Sequence, residues 1–151
     1  MSIRNLSVVF SAVLAIGLVA SAAEEKAKEF KATCPVSGQP AKQDQTAEYK
    51  GGKIYFCCGD CKAAFAKDNT KFTTKANHQL FATGQTTQAK CPLSGGPLNA
   101  DKTVEVDGVK VTFCCEKCQG KIADTKGDAQ VDLCFKDDAF KKAFEVKKAA
   151  K

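Results

Sequence analysis

The chain has 151 residues, nine of them cysteine, with 8% aromatic content and no tryptophan. Its net charge of +6 comes from lysines scattered among 17 acidic residues, with Arg4 the only arginine, so no basic stripe with interleaved aromatics marks a nucleic-acid surface. No Ser-His-Asp set, phosphate-binding loop or pair of catalytic carboxylates is visible, and the sequence is read as that of a protein that is not an enzyme.

From its start, the chain carries one positive residue, then an apolar run over residues 8–19, then Ala20-Ser21-Ala22-Ala23 before Glu24-Glu25-Lys26. This layout predicts a secretory signal peptide over 1–23, cleaved after Ala22 or Ala23. The largely apolar stretch of 16 residues over 8–23 falls short of the roughly 20 that span a bilayer. The expected mature protein is secreted or periplasmic, without stable membrane insertion, and begins with a charged lead over 24–33.

Next comes a stretch that is written twice. Residues 34–61 read CPVSGQPAKQDQTAEYKGGKIYFCCGDC and residues 91–118 read CPLSGGPLNADKTVEVDGVKVTFCCEKC, at a constant offset of 57 without a gap. Half of the 28 aligned positions are identical, all four cysteines among them. The duplication predicts two tandem modules, 34–84 and 91–126, joined by a linker over 85–90. Units of this size are too small to bury a generous core and need a staple, either disulfides or a thiolate-bound metal.

Within each module the pattern is a knuckle, a hairpin and a short helix. In C-P-x-S-G, proline fixes one dihedral and Gly38 or Gly95 supplies a left-handed turn. Alternating β-favouring residues follow on either side of Lys50-Gly51-Gly52 and Asp107-Gly108, which is a hairpin signal. The second strand runs into Cys57-Cys58-Gly59-Asp60-Cys61 or Cys114-Cys115-Glu116-Lys117-Cys118, and the residues beyond favour helix. The cysteine cluster is therefore expected at a strand-to-helix junction. Residues 73–83 predict a further helix stopped by Gly84. After Gly127, the spacing of Leu133, Cys134, Phe140 and Phe144 predicts one amphipathic helix within 127–151, covering the modules' apolar side. The expected fold class is small α+β with additional helices.

Cys57 and Cys61 lie four apart, and the hairpin can bring Cys34 across to them; Cys91, Cys114 and Cys118 repeat the arrangement. A closed structural zinc site has four ligands, and a zinc knuckle would place a second cysteine where Ser37 and Ser94 stand. The fourth ligand is then Cys58 or Cys115, an exogenous group, or nothing. Three thiolates suit copper(I), which tolerates low coordination, whereas four would suit zinc. Composition and compartment leave a second reading open, in which the eight repeated cysteines form disulfides that staple an extracytoplasmic interaction module. A third reading takes C-G-D-C and C-E-K-C as redox CxxC motifs, without the βαβ context that frames such motifs. His78 and Cys134 have no counterparts in the other copy; His78 is read as a surface or packing residue and Cys134 as a small packed hydrophobe.

These residues resemble a known family. The spacings Cys34-x22-Cys57-x3-Cys61 and Cys91-x22-Cys114-x3-Cys118, each after a strand ending in F-C-C, look like the TRASH domain and the related YHS domain. Tyr49-Lys50-Gly51-Gly52-Lys53-Ile54-Tyr55-Phe56-Cys57 and Cys61-Lys62-Ala63-Ala64-Phe65 follow the YHS pattern closely. The resemblance implies treble-clef-like modules that handle heavy metals, with Cys34, Cys57, Cys61, Cys91, Cys114 and Cys118 as ligands. Val106, Thr112 and Ile122 depart from the pattern in the second copy, and Cys58 and Cys115 stand outside it. With the resemblance added, the expected function is extracytoplasmic binding or trafficking of a thiophilic transition metal, Zn2+ or Cu+, with a metal-transport or metal-receiving protein as partner.

Overall fold

A computed structural model describes residues 30–147. The expected signal peptide, most of the charged lead and the last four residues of the C-terminal segment lie outside the described residues. The protein is a small α+β fold of short antiparallel strand pairs and helices.

The first half holds β1 (Lys42–Tyr49), β2 (Gly52–Phe56), α1 (Gly59–Lys67), a 3-10 turn, α2 (Thr73–Ala82) and β3 (Thr86–Gln88). The second holds β4 (Asn99–Val106), β5 (Val109–Phe113), α3 (Glu116–Ala123), α4 (Asp128–Phe135), α5 (Asp137–Ala143) and β6 (Phe144–Val146). β1 pairs with β2 and β4 with β5, as the sequence predicts. Both hairpins turn on two residues with positive φ, Lys50 and Gly51 in the first, Asp107 and Gly108 in the second. Positive φ at both central positions is the primed turn whose twist matches that of the flanking strands. Even the irregularity is duplicated, because the register slips between Lys42 and Thr46 and again between Asn99 and Thr103.

The last strands of the two halves, β3 and β6, pair with each other, with Thr87 opposite Glu145. β3 lies within the stretch read from sequence as a plain linker. The single amphipathic helix expected after Gly127 is instead two helices and a strand. Lys136 takes an extended conformation (φ −49°, ψ 148°) that ends α4. Asp137 and Asp138 then start α5, where acidic side chains favour a helix N-terminus. Cys134, Phe140 and Phe144 are nonetheless buried as their spacing implied, while Leu133 is only partly so.

One continuous core runs through both halves. In the first, Phe65 packs on Phe56 and Tyr49 with ring centroids 5.3 and 5.4 Å apart. In the second, Val106, Val111, Phe113 and Ile122 are fully buried. Between them, Phe81, Phe135, Phe140 and Phe144 form an aromatic layer. The hairpin tips dock against this layer's helices: Lys50 pairs with Asp137 and donates to Asn77 Oδ1 (3.0 Å), and Asp107 lies 3.8 Å from His78 Nδ1.

A two-stranded sheet leaves outer N–H and C=O groups without strand partners, and here glutamine amides take that place. Gln79 accepts from Tyr55 N and donates to Tyr55 O, both at 2.8 Å. Gln85 does the same for Lys53, and Gln88 for Thr112, the counterpart of Tyr55. These amides satisfy backbone groups that water would otherwise have to reach.

Candidate metal centres

Each knuckle is closed by its own backbone. Cys34 N donates to Gln39 O (2.8 Å) and Gly38 N to Cys34 O (2.9 Å), with Gly38 at φ +74°. The second knuckle repeats this through Cys91, Gly96 and Gly95, with Gly95 at φ +75°. The reversal turns Cys34 and Cys91 inward, and both are fully buried. Cys57 and Cys114 follow the ends of β2 and β5, and Cys58 and Cys115 are the N-caps of α1 and α3. Cys61 and Cys118 stand in the first helical turn.

Three sulfurs converge in each module. Those of Cys34, Cys57 and Cys61 all lie within 4.8 Å of one another, as do those of Cys91, Cys114 and Cys118. Cys57 and Cys61 are 3.5 Å apart, and Cys114 and Cys118 are 3.7 Å apart. A disulfide would bring sulfurs to about 2.0 Å. Sulfurs around a tetrahedral ion with arms of about 2.3 Å sit about 3.8 Å apart, so the observed spacing suits metal ligands. All nine cysteines are free thiols in this structure.

The surroundings of the thiols divide their roles. Burial pushes Cys34 up, but hydrogen bonds from the Ser37 hydroxyl and from the N–H groups of Ser37, Cys57 and Val36 outweigh it and bring the thiol down to about 7. Cys91 is brought to about 7 in the same way, with Ser94, Cys114 and Leu93 as donors. Cys61 is pushed up to about 12 by burial, by hydrogen bonding with Cys57, Cys58 and Cys34, and by the charge of Cys34. Cys118 is likewise raised to about 12. Within each metal-free triad Cys34 or Cys91 is thus the readier thiolate, while Cys61 or Cys118 is held protonated, first by burial and then by its sulfur neighbours. A soft cation bound among the sulfurs lets all three ionise.

Cys58 and Cys115 are exposed. Their sulfurs lie 3.7 Å from that of Cys57 and 3.6 Å from that of Cys114. The backbone N–H of Cys61 and the Cys61 and Cys57 side chains lower the Cys58 pKa, and Cys115 is lowered chiefly by the backbone N–H of Cys118. They flank the triads from the solvent side. Cys134 is buried behind the second site, its thiol pushed up to about 12 by burial and by the charge of Cys91. His78 packs edge-on against Phe135 at 5.0 Å and belongs to neither triad.

Two residues that sequence reasoning passed over complete the sites. Ser37 Oγ is 3.2 Å from Cys57 Sγ, and Ser94 Oγ is 3.1 Å from Cys114 Sγ. Their signal was present in the sequence: the same hydroxyl at the same step of both knuckles, read there only as a missing cysteine.

No helix among the described residues is long and apolar enough to cross a membrane. Compared with known proteins, the chain matches no family model, and no curated protein and no solved structure is significantly similar to it.

Proposed function

We propose that this protein binds a thiophilic transition metal at two sites, one per module, and carries or holds it outside the cytoplasm without catalysing a reaction. The observation that carries this reading is the pair of cysteine triads, each gathered within 4.8 Å by the same knuckle, hairpin and helix start. Two copies that keep one sulfur arrangement at ligand spacing while their apolar packing differs are poorly explained by packing alone. Soft thiolate sets favour copper(I) and zinc, and these are the ions proposed. The layout of residues 1–23 supports a secreted or periplasmic setting, and the TRASH/YHS-like spacing supports metal handling with a metal-transport or metal-receiving protein as partner. Exposed Cys58 and Cys115 beside the sites offer a route by which such a partner could reach the ion.

Native mass spectrometry of the mature protein, purified from its own compartment without added metal or reductant, tests the reading. The expected result is two metal ions per chain with every cysteine reduced. A metal-free mass lowered by about two daltons for each disulfide would overturn it and leave the modules as stapled scaffolds.

A further inference from the structure

The two serines occupy the place where a closed zinc knuckle carries its fourth thiolate, and the hydrogen bonds around them show what they do there. Gln39 N donates to Ser37 Oγ (3.3 Å), and Gly96 N donates to Ser94 Oγ (3.1 Å). With the oxygen accepting from the backbone, the hydroxyl proton is left to point at sulfur. The ligand sulfurs within its reach are Cys57 at 3.2 Å and the buried Cys34 in one module, and Cys114 at 3.1 Å and the buried Cys91 in the other. A metal-bound cysteine has lost its proton, so in the loaded site the serine must be the donor. As a hard neutral oxygen it is a poor ligand for a soft ion, and its position suits an outer-shell partner of the thiolates.

We infer that Ser37 and Ser94 set the metal preference of the two sites: each donates to a ligand thiolate from the position a fourth thiolate would take, which keeps the site at three sulfurs and favours a low-coordinate soft ion such as copper(I) over zinc. This rests on the metal-binding reading above and adds the residue that decides which ion is held. Zinc held by protein alone takes four closed ligands, whereas copper(I) is content with fewer. A sulfur in place of Ser37 Oγ would stand close to the separation expected between ligands of a tetrahedral thiolate site. The other sulfur within reach, Cys58, projects from the solvent side and adjoins Cys57 in sequence. Both modules keep the serine while much of their packing differs, which ties it to the sulfurs rather than to the core.

The test uses the purified protein in three forms: wild type, Ser37→Cys and Ser37→Ala, with the unaltered second module as an internal reference. Cobalt(II) spectra count the thiolates, and competition against chromophoric chelators gives the copper(I) and zinc affinities. Wild type is expected to show three thiolates per site. Ser37→Cys should raise the altered site to four thiolates and shift its preference toward zinc by about tenfold or more, because gaining a ligand should matter at least as much as changing a hydrogen-bonding neighbour of one. Ser37→Ala should keep three thiolates and weaken binding of either ion by about 10- to 100-fold.

A wild-type spectrum already showing four thiolates per site, closed by Cys58 and Cys115, would overturn the inference. So would a Ser37→Ala protein that binds both ions as tightly as wild type, a readout that holds even if Ser37→Cys fails to fold. If wild type takes up two ions and the variants match it, the serine assignment alone falls. Should wild type take up neither ion, the metal-binding reading falls and this inference with it.

Discussion

The two modules differ where their cores are filled and agree where their sulfurs are placed. Tyr49, Tyr55 and Phe65 of the first become Val106, Thr112 and Ile122 in the second. The sulfur pairs meanwhile stay at 3.5 Å and 3.7 Å, and the serine contacts at 3.2 Å and 3.1 Å. What is held in common is backbone: a knuckle closed on a left-handed glycine, a hairpin with two positive-φ residues at its tip, and a helix that starts one residue after the paired cysteines. The site geometry therefore follows from chain reversals that need particular residues at particular φ, whereas the core behind it needs only enough apolar volume.

The largest effect should come from removing one ligand. Cys61→Ser is expected to lower the metal content from two ions to one and to cost several kcal/mol, because in units this small the metal-binding free energy is folding free energy, on the order of 10 kcal/mol for a structural ion. Cys118→Ser should remove the other ion and lower the melting temperature by a similar amount, because one continuous core runs through both halves and either ion stabilises the whole. Metal analysis with calorimetry on the two variants checks both points. Unchanged stoichiometry and melting temperature in Cys61→Ser would mean that the triad is not a metal site.

Next in size is the core itself. Phe65 is 2% exposed and meets the rings of Phe56, Tyr49 and Phe72. Truncation by Phe65→Ala is expected to cost about 3–5 kcal/mol in urea unfolding. Below its transition the variant should still bind two ions, since Ile122 already shows that an aliphatic side chain at this position leaves the sulfur triad assembled. Loss of the first site's metal in a folded Phe65→Ala protein would show that the aromatic core, and not the backbone, places the thiols.

Much of this was legible in the sequence because it is local. The ungapped duplication, the C-P-x-S-G knuckle, the Lys50-Gly51 and Asp107-Gly108 turns and the cysteines at the strand-to-helix junction each show in short runs of neighbouring residues. They led directly to the triads of Cys34, Cys57 and Cys61 and of Cys91, Cys114 and Cys118. What stayed hidden depends on distant partners. Residues 86–88 read as a polar linker because their pairing strand, β6, lies at the far end of the second half. The break at Lys136 was masked by apolar residues whose helical spacing continues across it. The burial of Gln79, at 1% exposure, runs against its polarity, and only the open edge of β2 explains it.

That glutamine gives a third, smaller way to separate the modules. Gln79→Leu keeps the volume but removes the partners of Tyr55 N and O and of Thr33 O. The expected cost is roughly 1–3 kcal/mol, the range for leaving buried polar groups unsatisfied. Gln88→Leu strips the equivalent bonds from Thr112 in the second module, but Gln88 is less buried, so water can replace them and the loss should be smaller. Equal losses in urea unfolding would mean that both edges are equally closed to solvent.

The smallest expected effect lies where the halves meet. His78 is buried edge-on to Phe135, and Asp107 at the tip of the second hairpin is the acidic group facing it. Burial pushes its pKa below the usual 6.5, with the charge of Asp107 and hydrogen bonding to the backbone of Val106 and Asp107 offsetting part of the shift. As the pH falls below about 6.5, the unfolded chain takes up a proton that the folded chain accepts only at lower pH, so stability declines through that window and is fully present above it. Phe135 occupies the equivalent position of the second copy, and His78→Phe should therefore remove this part of the pH dependence while keeping the ring contact. Urea unfolding of the metal-free proteins at pH values of about 5 and about 7 isolates it, because the cysteine contributions are common to both. Wild type should lose more stability than His78→Phe between the two; parallel losses would mean that the imidazole is protonated as readily in the folded protein as in the unfolded chain, and that the contact between the halves is not closed to water.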